Sequence, residues 1–158
     1  MSAPTNDSSS APRGVRVGAY EISDDPARLD ASAIHAYLTR SYWSPGIPLA
    51  VVQRALENSW CIGAYGPDGA QVGLVRIISD EATYAYLCDV YVLETHRGHG
   101  LAKAMMNFAQ DHPRLQGLRT WNLRTRDAHG LYAQFGFTVI DNPQGYMIRR
   151  FPDVYKAP

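Results

Sequence analysis

The chain has 158 residues, 15 Lys and Arg balancing 15 Asp and Glu, and 46% hydrophobic residues. That is the size of one domain, able to bury roughly 68–70% of its unfolded surface without staples. Zero formal charge excludes nucleic-acid or anionic-membrane binding through bulk charge, and no run reaches the ~18 apolar residues of a membrane span.

Met1 to Gly14 is rich in Ser, Pro and Asn and has no apolar h-region, so it is not a secretory signal. It reads as a disordered tail (residues 1–14) ahead of a single domain (residues 15–158), and a cytoplasmic location follows as the expectation. Cys61 and Cys88 both lie in apolar runs. They form no metal-ligand spacing and no disulfide framework, so no metal is expected.

Val15 to Ile22 alternates and predicts a first strand. Asp30 is placed to cap a helix carrying Ile34, Tyr37 and Leu38 on one face. Ser41-Tyr42-Trp43-Ser44-Pro45-Gly46 is an aromatic loop. A second helix follows over Pro48 to Asn58, with Val51, Val52, Ala55 and Leu56 as its apolar stripe.

Then the period changes to that of strands. Trp60 to Tyr65 and Gln71 to Ile78 flank the turn Gly66-Pro67-Asp68-Gly69, and Tyr84 to Val92 is a long β-prone run. Short links make the three an antiparallel meander. Leu101, Met105, Phe108 and Ala109 recur at helical spacing, ahead of Pro113. Thr120 to Thr125 reads as a strand and Ala128 to Phe135 as a helix stopped by Gly136, with Asp127 as its natural cap. Phe137 to Ile140 and Tyr146 to Phe151 are expected as two last strands. The order β-α-α-β-β-β-α-β-α-β-β describes an α/β (α+β) fold with helices packed on a mixed sheet.

The chemistry-bearing feature is Arg97-Gly98-His99-Gly100-Leu101-Ala102, between a strand and a helix. A helix N-terminus leaves backbone N–H groups unpaired, and its dipole favours an anion there. Glycines let a phosphate approach the backbone, and Arg97 and Lys103 add positive charge. Neither a Walker A loop nor a three-glycine dinucleotide fingerprint is present. A turn that merely caps the helix is the plainer reading of these residues alone.

Arg97-x-x-Gly100-x-Ala102, after the strand Val90-Tyr91-Val92, resembles the acetyl-CoA-binding signature of the GCN5-related N-acetyltransferase (GNAT) family. Ala128-His129-Gly130-Leu131-Tyr132-Ala133-Gln134-Phe135-Gly136-Phe137 is similar to that family's second signature, Ala-x-x-Leu-Tyr-x-x-x-Gly-Phe. The resemblance spans Val15 to Phe151 and implies the acyl-CoA N-acyltransferase fold. It implies that Val90, Tyr91 and Val92 pair with the pantetheine arm. The amides of Gly98, His99, Gly100, Leu101, Ala102 and Lys103 would hold the pyrophosphate, with Arg97, Arg126 and His129 close to it.

The implied function is transfer of acetyl from acetyl-CoA to a primary amine in a ternary complex. A phenol is neutral at pH 7 and can protonate a departing thiolate, the role the resemblance gives Tyr132; on the residues alone, a core tyrosine beside Leu131 and Phe135 is the favoured reading. Many relatives carry a glutamate where this chain has Cys88, which leaves the base open between Asp89, directly or through water, and bulk water alone. Thr125 replaces a frequent Asn. The acceptor is expected among His35, Tyr37, Tyr42, Trp43, Tyr84 and Tyr86, since an aromatic pocket suits an amine.

A small-molecule amine is favoured over a protein or peptide. No nucleic-acid or membrane partner is expected, and the family's habit of dimerising allows a homodimer. A non-catalytic acyl-CoA sensor of the same fold is the rival from another class.

Overall fold

A computed structural model describes residues 11–158. Six strands form one sheet, β1 (Gly14–Val17), β2 (Tyr20–Ser23), β3 (Trp60–Tyr65), β4 (Gln71–Ser79), β5 (Tyr84–Val92) and β6 (Thr120–Leu123), in sequential spatial order. The first five pair antiparallel, and β6 runs parallel to β5. A parallel neighbour needs a crossover, which α3 (Leu101–Gln110) supplies. The other helices are α1 (Ala31–Leu38), α2 (Leu49–Glu57) and α4 (His129–Ala133). No helix among the described residues is long and apolar enough to cross a membrane.

The period-2 pattern of the strands sends alternate side chains to two cores. On one face Ile62, Ala64, Ile77, Ala85 and Leu87 meet Met105, Met106 and Ala109 of α3 and Tyr132 of α4. On the other, Cys61, Leu74 and Tyr91 meet Ile34 and Leu38 of α1 and Val52 and Leu56 of α2. Each fully buried aliphatic side chain contributes about 1.5–3 kcal/mol. Asp30 caps α1 as expected, its carboxylate accepting the Ala33 amide at 2.9 Å.

Three expectations are corrected. The predicted strand over 15–22 is a hairpin: Gly18, at φ +60°, turns the chain, and Val17 pairs with Tyr20. Alternation survives such a turn, so the periodicity concealed it. The predicted strands over 137–140 and 146–151 do not form. Among the described residues no backbone partner reaches them, apart from turn bonds and the Phe137 amide on the Tyr132 carbonyl. Thr125, not Asp127, satisfies the turn into α4, its Oγ1 accepting the Ala128 amide at 3.0 Å and the Asp127 amide at 3.4 Å. Most of the expected N-terminal tail (residues 1–10) lies outside the described residues. Of the remainder, Arg13 is anchored, its amide and guanidinium both bonded to Asp24, and Gly14 already belongs to β1.

Candidate active site

β5 divides in two. From Ala85 to Leu87 it is paired on both edges, to Ile77–Ser79 of β4 and to Trp121–Leu123 of β6. Beyond Leu87 and Leu123 the pairing with β6 stops. Cys88 to Val92 therefore presents an open edge. Within that half the ladder with β4 slips: Leu74 pairs with Tyr91 but Arg76 with Cys88, and Asp89 sits at φ +51°. This is a β-bulge, which bends its strand and turns a side chain out of the regular alternation.

The bulge determines what Asp89 can reach. Its Oδ1 accepts the Trp43 indole N–H at 2.9 Å, and its Oδ2 accepts Arg76 Nε at 2.6 Å. The Arg76–Asp89 pair is largely buried, and Arg76 also donates to Ser59 Oγ at 3.0 Å. Both carboxylate oxygens are thus engaged. Arg76 escaped the sequence reading. The signal for it was a lone charge inside the apolar run Gly73-Leu74-Val75-Arg76-Ile77-Ile78, since a buried cation requires a partner. Cys88, across the ladder from Arg76, is half-buried, and burial pushes its thiol up to about 12. It is a neutral thiol at pH 7 and a poor nucleophile.

At the open end of β5 the chain passes through a short turn into the glycine loop. Gly98 and Gly100 take φ +85° and +74°, and Gly100 precedes α3 with no side-chain cap. The amides of Gly98, His99, Gly100, Leu101, Ala102 and Lys103 donate to no acceptor among the described residues. A Cβ built on Gly98 or Gly100 meets nothing within 4 Å. Six backbone donors converge at the start of an uncapped ten-residue helix, beside an unpaired strand edge. That arrangement accepts a phosphate and an extended amide-bearing arm, so acetyl-CoA fits the residues present.

The loop's side chains are less available than its amides. Arg97 folds back, its Nε donating to the Val92 carbonyl at 3.1 Å and its Nη2 to Tyr37 Oη at 3.4 Å. His99 packs by Tyr20, with ring centroids 5.1 Å apart. Lys103, Arg126 and His129 are exposed.

Tyr132 is 8% exposed, its ring edge-on to Phe137 at 6.1 Å. Burial pushes its phenol up to about 12, with Tyr42 and Asp127 adding to the effect. It therefore keeps its proton throughout the neutral range, and its hydroxyl is bonded to no protein group among the described residues.

The aromatic residues expected at the acceptor side divide. Tyr37 stacks on Tyr91 at 3.9 Å, while Trp43 lies 6.2 Å from Tyr37 and 5.0 Å from Tyr42. Tyr42 Oη accepts the Arg126 amide at 3.3 Å, and the Arg126 guanidinium sits 3.9 Å above its ring. The α1–α2 loop is thereby tied to the β5 bulge through Trp43 and to the β6–α4 loop through Tyr42. Tyr84 and Tyr86 lie on the same face of β5 as Cys88, farther back. His35 is turned elsewhere, its Nε2 donating to the Ile47 carbonyl at 3.0 Å, so it shapes the loop. Arg40, also missed, clips α1 to the segment after β5 through Glu94.

A mixed sheet whose fifth strand runs past its neighbour's end to an uncapped, glycine-opened helix fits the acyltransferase class that the two signatures imply. Comparison with known proteins gives the family. Residues 57–139 match the acetyltransferase (GNAT) domain family. A protein of Gibberella zeae named as an acetyltransferase is 35% identical over 139 residues, covering 74% of this chain and 77% of that one. A crystal structure from Xanthomonas campestris, titled as a GNAT-family acetyltransferase, is 49% identical with a TM-score of 0.84, over 87% of this chain and 97% of that chain. One from Deinococcus radiodurans shares the fold at 19% identity, with a TM-score of 0.68 over 91% of this chain and 97% of that chain. The chain belongs to the GNAT acetyltransferase family and is an acetyltransferase of that type.

Proposed function

We propose that the protein transfers acetyl from acetyl-CoA to the primary amine of a small molecule, by direct attack in a ternary complex. The observation that carries this is the set of unpaired amides from Gly98 to Lys103 beside the open edge of β5. Acetyl-CoA supplies an activated acyl group on a thiol leaving group. The amides of Gly98, His99, Gly100, Leu101, Ala102 and Lys103 hold its pyrophosphate. Val90, Tyr91 and Val92 offer backbone groups to the pantetheine arm and an N–H to the acyl oxygen. Lys103, Arg126 and His129 border the phosphates, and Arg97 braces the strand end through Val92.

Tyr132 donates its phenolic proton to the departing thiolate as the new C–N bond forms and the C–S bond breaks. Amine deprotonation falls to ordered water. Asp89 has both oxygens held by Trp43 and Arg76, so it acts by positioning the Trp43–Tyr42 strap over the acceptor. Tyr37, Tyr42, Trp43, Tyr84 and Tyr86 supply the faces against which a small amine packs.

A thiol-release assay with acetyl-CoA against small amines and peptides tests the reading. The expected result is turnover on a small primary amine, with intersecting double-reciprocal lines. Parallel lines would mean a covalent acyl-enzyme. Tight CoA binding without turnover on any amine would make the protein a sensor, and preferential use of peptides would move the acceptor class.

A further inference from the structure

The face of the sheet proposed for the acceptor carries a charge that nothing in the protein answers. Arg76 pairs with Cys88 and Ile78 with Tyr86 across β4, and Tyr86 pairs with Asn122 across β6. Arg76, Cys88, Tyr86 and Asn122 therefore share that face. Leu123 belongs to the other face, where it packs on the α3 core. Arg124, the next residue, returns to the acceptor face just where β5 and β6 part. Its field reaches the Tyr86 phenol: burial and the Cys88 thiol push that phenol up, and Arg124 draws it down.

The other charges around this face have partners. Asp89 gives both oxygens to Trp43 and Arg76. Arg126 lies over the Tyr42 ring, with the Asp127 carboxylate 3.9 Å away. Asp80, in the turn before Tyr84, accepts the Ala82, Thr83 and Tyr84 amides and the Thr83 hydroxyl. Arg124 is exposed and has neither an ion-pair nor a hydrogen-bond partner among the described residues.

A simple alkylamine arrives as a cation. It would meet an unanswered positive charge and find every carboxylate already engaged. An amine whose body carries an anion meets instead a planar fork of donors, which binds carboxylate or phosphate through two parallel hydrogen bonds. Resting on the acyl transfer proposed above, we infer that the acceptor is a zwitterion, a primary amine bearing a carboxylate or phosphate, and that Arg124 binds this anionic group and sets the specificity. Arg124 stands one residue past the last β5–β6 pair, so it holds the anion at the mouth of the opening. The amine then lies toward Val90 to Val92, and the body packs on Tyr86.

Steady-state kinetics on matched acceptors, at saturating acetyl-CoA, test this. One pair is an amino acid and the alkylamine of the same chain length; the other is an aminoalkyl phosphate and its amino alcohol. Wild type should favour the acidic member of one pair by about ten-fold or more in kcat/KM, mainly through KM. The pair that shows the preference identifies the anion. Arg124→Gln should abolish it by raising KM for the acidic acceptor, with kcat, acetyl-CoA affinity and circular dichroism unchanged. Arg124→Lys should keep part of it. Comparing the proteins on one acceptor cancels the difference in amine pKa within a pair. Turnover of amines without preference for either acidic member overturns the inference and keeps the proposed function. So does a preference that survives Arg124→Gln, or a variant whose loss lies in acetyl-CoA affinity, which would place Arg124 on the donor. No turnover on any amine overturns both.

Discussion

The two halves of β5 share one strand and have opposite fates. Ala85 to Leu87 is hydrogen-bonded on both sides, and its inward side chains are buried against α3. Cys88 to Val92 is bulged at Asp89 and bare toward β6. Completing the ladder maximises stability; stopping it leaves backbone donors and acceptors that a ligand can use. The proposed site lies where regular structure has been interrupted, and the largely buried Arg76–Asp89 pair sits at the interruption.

The largest effect should come from the proposed proton donor. Tyr132→Phe removes the proposed proton donor and keeps the ring, so kcat should fall about 10²–10⁴-fold with acetyl-CoA affinity nearly intact, as steady-state rates and calorimetry can show. Full turnover would transfer the role to water.

Next is the brace of the bulge. Asp89→Asn leaves the Arg76 cation facing an amide in a largely buried site, and about 3 kcal/mol of stability should be lost in denaturant unfolding. The variant's kcat/KM should drop by a factor that does not vary with pH, because Trp43 loses its anchor beside the proposed acceptor side. A loss that shrinks as pH rises toward the amine's own pKa, in a variant with normal stability, would make Asp89 the base after all.

A smaller change should follow at the loop. Gly100→Val places a branched side chain at φ +74° in the open space proposed for the pyrophosphate. Acetyl-CoA affinity should weaken about ten-fold or more, roughly 1.4 kcal/mol, in a titration of folded protein.

The smallest effect should come from a group outside both halves of β5. His112 is buried against Trp60, its ring accepting the Arg114 amide, and burial holds its pKa below the ordinary value, helped by Arg13. The folded state resists the proton that the unfolded chain takes up. This group's contribution is therefore complete above pH ~6.5 and is lost as pH falls below it, by at most ~1.4 kcal/mol per pH unit. The melting temperature should decline from pH 7 to 5, and His112→Gln should flatten that slope while leaving acetyl-CoA affinity unchanged.

What the sequence revealed and what it concealed follow the same physics. Asp30 capping α1, the turn at Gly66–Gly69 and the full extent of β3 and β5 were legible, because local chemistry and period decide them. The glycine loop was legible through its residues, and the family through the resemblance that both signatures carried. The hairpin at Gly18 was concealed because two four-residue strands and a tight turn keep the same alternation. The expected strands at 137–140 and 146–151 show the reverse case: β-propensity supplies a fit to a pleated surface, and a strand also needs a neighbour. The bulge at Asp89 depends on cross-strand register, which no single-strand pattern records. With it went the Asp89 partners, although the lone Arg76 in an apolar strand was a usable sign.

The most direct test is to map CoA onto the amides of the ¹⁵N-labelled protein by NMR titration. Shifts at Cys88 to Val92 and Gly98 to Lys103, with Tyr84 to Leu87 unmoved, are the predicted outcome. Saturable shifts confined elsewhere, or none at all in a folded protein, would contradict the claim that the open half of β5 and the start of α3 hold the acyl donor.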